Sequence, residues 1–294
     1  MNNVQEAAKN FEDMRKRCRM LYIIYGIGML AALAMMFLQE MKSALLIFVL
    51  LLIIYFVIVR SAIRQYTAAW REYCARLFTE KHVAPAQYSY RVRIADIPEM
   101  QKHIMMPLSE KGKLTARCLI RGSNAGIHAD FADATVTVGS GTSTRFYSGC
   151  WMGFSFESRV QDTFRAVVSE IMADDAYDRW LTETQNFSVC PYQADMPAGC
   201  RLYAMHGNAA LPQEAVQPLR TLLKSITGAG VVDICPEGLY VFLPYRLINK
   251  LPPSLKVPVT EGMINSLSFP EIDHAWLLAL TLRNVSDPGK EGTA

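Results

Sequence analysis

The chain has 294 residues, 51% of them hydrophobic, and 30 basic against 27 acidic side chains give a formal charge of +3. Such a length and apolar content argue against a disordered or fibrous chain and leave room for one or two packed domains. The small net charge argues against nucleic acid as a partner, and an odd number of cysteines, seven, with no CxxC pair argues against a disulfide framework and for buried free thiols.

In chain order, the first signal is a seam. Val4, Ala7, Phe11, Met14, Cys18 and Leu21 recur at intervals of three and four, the spacing of a helix packed along a neighbour. Within it stand Arg15, Lys16, Arg17 and Arg19. An uncharged run follows, Met20 to Leu38 (MLYIIYGIGMLAALAMMFL), then Gln39-Glu40-Met41-Lys42, then a second uncharged run, Ser43 to Val59 (SALLIFVLLLIIYFVIV). As helices these runs measure roughly 25–29 Å, close to the hydrocarbon thickness of a bilayer. Two transmembrane spans, 20–38 and 43–59, are therefore predicted, with the polar tetrapeptide as the hairpin turn. Neither run reads as a cleaved signal peptide, because the first is long and lacks a small-x-small cleavage site.

Basic residues set the orientation. Arg15, Lys16, Arg17 and Arg19 precede the first span, and Arg60, Arg64 and Arg71 follow the second, whereas the turn has only Lys42 beside Glu40. Residues 1–82 carry 11 basic and 6 acidic side chains, so the positive excess lies where anionic lipid would attract it. The positive-inside rule predicts a two-pass bacterial inner-membrane protein with both termini cytoplasmic. Arg15, Lys16, Arg17, Arg19, Arg60 and Arg64 are the expected membrane-interface residues.

A second seam, Ile63, Tyr66, Trp70, Tyr73 and Leu77, mirrors the first at similar depth. Phe11 and Met14 are expected to pack against Ile63, Tyr66 and Trp70 in one antiparallel hairpin, with Glu6, Glu12 and Asp13 facing Arg64, Arg71 and Arg76. Packing on the following domain, or on another subunit, is the alternative.

From Pro85 the texture turns strand-like. Tyr88, Tyr90, Val92 and Ile94 alternate with polar residues, as do Leu114, Ala116, Cys118 and Ile120. Gly122 to Gly126 reads as a turn and Ile127 to Val138 as its return strand. Arg145 to Ser158 is another strand, with Cys150, Met152, Phe154 and Phe156 on one face. Asp162 to Leu181 fits a helix or a strand, and residues 159–195 stay unassigned. Arg201 to Met205 is a strand. A helix opened by Leu211-Pro212 carries the stripe Val216, Leu219, Leu222, Leu223 and Ile226 and stops at Gly228. Val231–Cys235 and Leu239–Pro244 form a hairpin around Pro236-Glu237-Gly238, and Met263 to Arg283 is a last helix. The expected fold is α+β: a helical hairpin over residues 1–82, then a cytoplasmic domain over 83–285 with an antiparallel sheet and two or three helices, and a disordered tail over 286–294.

The two-span hairpin with basic flanks, together with FYSGCWMGFSFE (146–157), RLYAMHGNAALPQEAVQPLRTLL (201–223) and GLYVFLPYRLINKLPPSL (238–255), resembles a bacterial inner-membrane family known only as a domain of unknown function. The resemblance runs from about residue 10 to 280. It implies the topology and the fold and carries no catalytic residues with it.

Little chemistry is visible. His128 and Asp130, two apart on a strand, share a face and could approach a metal, with Asp133 nearby, but a third ligand on that face is missing. His206 lies at a strand end before a helix, with no partner at readable spacing. Gly139 to Thr144 (GSGTST) lacks the following helix of a phosphate loop, and Met105-Met106 and the aromatics around Trp151 suit a core. No cofactor, metal or catalytic residue is expected; His128, Asp130, Asp133 and His206 are the weak candidates. The leading expectation is a membrane-anchored interaction or sensory domain whose partners are the lipid bilayer and a protein or a second copy. The alternatives are a membrane-tethered enzyme acting on a lipid or nucleotide, and a membrane-perturbing defence or stress effector.

Overall fold

The computed structural model describes residues 2–37, 41–89, 92–103, 105, 113–138, 145–158, 160–169, 175–190, 196–206, 210–245 and 252–284. Expectations that concern Gln39-Glu40, Tyr90, Met106, the GSGTST loop and the 286–294 tail lie outside the described residues. The chain divides into two compact units, residues 1–74 with 250–268, and residues 75–249 with 269–294.

In the first unit, α1 (Asn2–Phe37) is one continuous helix of 36 residues. It runs beside α2 (Met41–Ile54), a five-residue π turn (Tyr55–Val59) and α3 (Arg60–His82). Three contacts fix the antiparallel alignment. Gly28 lies so close to Leu51 that an added Cβ would stand 2.8 Å from it. The Tyr25 and Tyr55 rings are 5.1 Å apart, and Phe11 meets Trp70 edge-on at 5.1 Å and Tyr73 at 5.2 Å. Phe11, Tyr66 and Trp70 are all buried, while Met14 and Ile63 are half-buried.

The two helices contain apolar windows of mean hydropathy 2.1 and 2.8, and only 6% of either window is buried. Large apolar side chains from Met20 to Ile58 stand outward. A core helix of a water-soluble protein hides such residues. These helices are long and apolar enough to cross a membrane.

The same unit includes a late segment. Residues 252–268 lie along the amino-terminal arm of α1, with a short helix α7 (Glu261–Asn265) whose first turn is capped by the Thr260 hydroxyl accepting from the Met263 N–H at 3.2 Å. The single helix expected over Met263–Arg283 is therefore two, since α8 begins afresh at Pro270 (Pro270–Asn284). Proline has no N–H to donate and is accepted at a helix start rather than its middle.

The second unit is built on an antiparallel sheet of nine described strands: β1 (Gln87–Ser89), β2 (Leu114–Asn124), β3 (Ile127–Val138), β4 (Arg145–Ser155), β5 (Phe164–Ser169), β6 (Ser188–Val189), β7 (Cys200–Ala204), β8 (Ala229–Cys235) and β9 (Gly238–Leu243). Their spatial order is β1-β2-β3-β4-β9-β8-β5-β7-β6. With the N-terminal helices this is an α+β chain. The β2–β3 and β8–β9 hairpins are where the turn chemistry placed them, with positive φ at Ala125 and Gly126 in the first and at Gly238 in the second. Of the alternation over Tyr88 to Ile94, the described strand covers Gln87–Ser89, and Ile94–Asp96 is a 3₁₀ turn, followed by the short helix α4 (Pro98–Lys102).

Both faces of the sheet are covered. On one, α6 (Gln213–Ser225) and α8 pack together, burying Leu219, Leu222 and Leu223, and Phe154 of β4 meets Trp276 of α8 at 6.0 Å. On the other, Ile97, Met100, Tyr177 and Leu181 close over Trp151, Tyr203, Tyr240 and Phe242. Gly149 marks the tightest approach: a Cβ there would lie 1.8 Å from the Leu243 carbonyl oxygen, so only glycine lets β4 and β9 pair. The end of α3 belongs to this unit. His82 stacks on Trp276, and Lys81 and His82 reach the Asp273 carboxylate at 2.8 and 2.6 Å. Burial pushes the Asp273 carboxyl up, but these two neighbours outweigh it and leave it below its usual range.

Candidate functional site

The pleat of β3 separates the candidates on it. His128 and Asp130 share one face and Asp133 points to the other. Asp130 is buried and taken by Arg121, whose Nε and Nη2 each donate to it at 2.7 Å; Nη2 also donates to the Asp96 carbonyl at 3.1 Å. His128 is exposed, its Nδ1 2.8 Å from the Ser123 hydroxyl and its Nε2 3.6 Å from Asp130. Asp133 sits beside Cys118 at a bulge in β2, with Cys150 opposite on β4. Burial and then the Asp133 charge push the Cys118 thiol up to about 12 and Cys150 well above its ordinary value, so both are inert thiols. Among the described residues no group of three His, Cys, Asp or Glu side chains could hold a metal ion.

His206 has a partner that lies 44 residues earlier. Asp162, buried, accepts from the His206 backbone N–H at 3.0 Å and lies 2.8 Å from its Nδ1. A carboxylate there fixes the proton on Nδ1 and leaves Nε2 in solvent as a base. Catalysis would need a nucleophile or a bound substrate within reach. Among the described residues, Asp162 is the hydrogen-bond partner of the His206 ring, and the ring is exposed rather than set in a cleft.

The buried polar groups that sequence reasoning did not single out lie on the same face of the sheet as Asp130, in register with it through Gly153 and Tyr240. Arg165 of β5 donates to Asp233 of β8 through Nε at 2.7 Å and Nη2 at 2.6 Å, with side-chain exposures of 4% and 1%. The guanidinium also lies over the rings of Trp180 and Phe187. Burial works against its charge, and Asp233 outweighs burial. Nearby, Asp178 of α5 (Asp175–Arg179) pairs with Arg201 and accepts from the Tyr203 hydroxyl at 2.6 Å. At the β8–β9 turn, His103 stacks on Tyr240 with centroids 3.8 Å apart, Tyr240 donates to Glu99 at 3.3 Å, and Lys102 bonds Glu237 at 2.9 Å. Each charge has a counter-charge, so these groups hold elements together. A cleft of about 560 Å³ opens at α6, lined by Leu202, Leu211, Val216 and Gln217 with Arg220 as its charged side chain.

The helical unit differs in this respect. Arg15 is 4% exposed and withdrawn from the surface: it pairs with Glu12 at 2.6 and 2.7 Å and donates to the Leu255 carbonyl. Lys16 is exposed and stands 3.8 Å from Glu12. Arg17, Arg19, Arg60 and Arg64 are exposed and make no ion pair or hydrogen bond among the described residues; Arg60 lies over the Phe56 ring at 5.5 Å. Glu12 therefore answers to its own helix and to the Val259 N–H, which it accepts at 2.9 Å, rather than to Arg71. Compared with known proteins, the chain matches no family model, no curated protein and no solved structure.

Proposed function

We propose that this chain is a two-pass bacterial inner-membrane protein, akin to the two-span family it resembles, whose α+β unit lies in the cytoplasm and acts by binding a protein partner or a second copy. The observation that carries the reading is the outward display of apolar side chains along α1 and the α2–α3 helix, only 6% of either apolar window being buried. Each large aliphatic side chain left in water forgoes about 1.5–3 kcal/mol, so a bilayer is the solvent that suits this surface. Arginines without an acidic partner among the described residues, at one end of the apolar stretch, and a mostly neutralised α+β unit support the cytoplasmic side and a non-catalytic role. Buried thiols with raised pKa values and ion-paired carboxylates leave few groups poised for chemistry.

Cysteine labelling with a membrane-impermeant reagent tests this. In a version lacking the seven native cysteines, Met41→Cys should label from outside intact cells and Lys290→Cys only after lysis. Labelling of Lys290→Cys in intact cells, or a chain that stays in the soluble fraction, would sink the reading.

A further inference from the structure

Arg19 follows the buried Cys18 directly, and Arg60 follows the buried Val59 directly. One helical residue is a rotation of about 100°, so each arginine projects sideways from the seam between the helices. Because the helices are antiparallel and face one another, the two rotations open on the same flank of the hairpin. The Tyr25–Tyr55 and Phe11–Trp70 contacts fix the level, and by that alignment Arg19 and Arg60 stand at the same depth within one to two residues, about 1.5–3 Å. Tyr22 and Tyr55, hydrogen-bonded to each other, lie about a turn further into the apolar stretch, and Phe56 lies beneath the Arg60 guanidinium. Neither arginine has an acidic partner among the described residues. Two guanidiniums side by side repel unless an anion lies between them.

We propose that Arg19 and Arg60 bind the phosphate headgroup of an anionic phospholipid, with Tyr22, Tyr55 and Phe56 against the upper part of its acyl chains. Guanidinium forks match phosphate oxygens, and tyrosines favour the depth where headgroup meets hydrocarbon. Charge complementarity and continuity with the exposed apolar belt select a lipid over a soluble anion. The π turn at Tyr55–Val59 contributes, since its extra residue rotates the following helix by about 100° and so sets where Arg60 emerges relative to Phe56. Lys9, exposed and about 15 Å further along α1 from the apolar stretch than Arg19, is the control.

This inference rests on the membrane reading above, and the experiment separates the two. The full chain is reconstituted in bilayers of phosphatidylcholine alone and of phosphatidylcholine with phosphatidylglycerol, and the lipid retained on gentle detergent extraction is identified by native mass spectrometry. Wild type and Lys9→Gln should both retain phosphatidylglycerol above its bulk fraction, and Arg19→Gln/Arg60→Gln should lose that preference, about fivefold for each arginine removed. All three should enter neutral bilayers equally. Entry without preference, or equal preference in the double variant, overturns the lipid site and leaves the membrane reading intact. Failure to enter either bilayer overturns both. Displacement of the lipid by excess inorganic phosphate would assign the site to a free anion and overturn the lipid assignment.

Discussion

Glu12 and Arg15, one turn apart on α1, clasp each other through two charge-assisted hydrogen bonds, and each also holds the chain where it returns at residues 255–259. The side chain of Arg15 spans more than two hundred residues of sequence to reach Leu255, so a local helix pair organises a distant loop. The Arg15 guanidinium, aided by the Val259 N–H and opposed by burial, holds Glu12 down at about 2. Arg15→Gln should therefore destabilise the helical unit by about 2–3 kcal/mol, as the loss of hydrogen bonds to a charged group does. Arg17→Gln, at an exposed site, should change stability by less than about 0.5 kcal/mol. Thermal melting in mild detergent reads both. Because the folded pKa is depressed, the Glu12 contribution is complete above the ordinary value of 4.5 and is lost as pH falls from there towards 2. Glu12→Gln should flatten that acid limb.

The Phe11–Trp70 contact makes a second prediction. Trp70→Ala should cost about 2–4 kcal/mol, within the range for truncated core aromatics. The indole Nε1 of Trp70 is buried with no hydrogen-bond partner among the described residues, so Trp70→Phe should cost less than about 1.5 kcal/mol. In a cysteine-free background, cysteines at 11 and 70 should crosslink within one chain. Crosslinks confined to pairs of chains would show that the seam joins separate molecules.

Regular elements were legible where one signal repeated locally. Ile127–Val138 and the β8–β9 hairpin carry alternation and turn residues together, and both are found at the residues expected. Phe164–Ser169 was ambiguous because Arg165 interrupts an apolar run; it is buried in a strand because Asp233, 68 residues on, neutralises it. The attachment of the 252–268 segment to α1 had no signature, since the helix side chains that bond to it, among the described residues, use one carbonyl and one N–H of its backbone. The candidates fared likewise. Spacing placed His128 and Asp130 on one face, whereas the partners that settle their roles, Arg121 and, for His206, Asp162, come from other strands or loops. Arg15 looked like its basic neighbours because its burial depends on residue 255.

His103 should make the α+β unit acid-sensitive. Burial lowers its pKa from the ordinary 6.5; Asp233, Glu237 and Glu99 act the other way, and Lys102 acts with burial. The folded state therefore prefers the neutral ring. Stability is complete above the unfolded pKa of about 6.5 and falls as pH drops below it, because only the unfolded chain then takes up the proton. His103→Phe keeps a ring on Tyr240 and cannot titrate. Chemical denaturation at steps between pH 7 and 5 should show wild type losing stability relative to this variant. Parallel curves would remove His103 from the account.

The last prediction concerns Arg165 and Asp233, the most deeply buried ion pair among the described residues. Removing one partner leaves the other charged in the core, so Asp233→Leu alone should cost about 3–5 kcal/mol and Arg165→Met alone a similar amount. Replacing both removes two desolvation penalties along with their attraction. Arg165→Met/Asp233→Leu should thus lie within about 1 kcal/mol of wild type, or above it. The strand pairing should survive, since β5 and β8 are joined by backbone hydrogen bonds from Phe164↔Ile234 to Ser169↔Ala229. The cation also lies over Trp180 and Phe187, and a methionine thioether at position 165 would occupy that aromatic slot. Denaturant unfolding of the four proteins forms a double-mutant cycle, in which a coupling energy of about 5 kcal/mol or more is expected. Additive losses would mean that the two charges are stabilised independently, by water or by the neighbouring tyrosines, and that the pair does not lock β5 to β8.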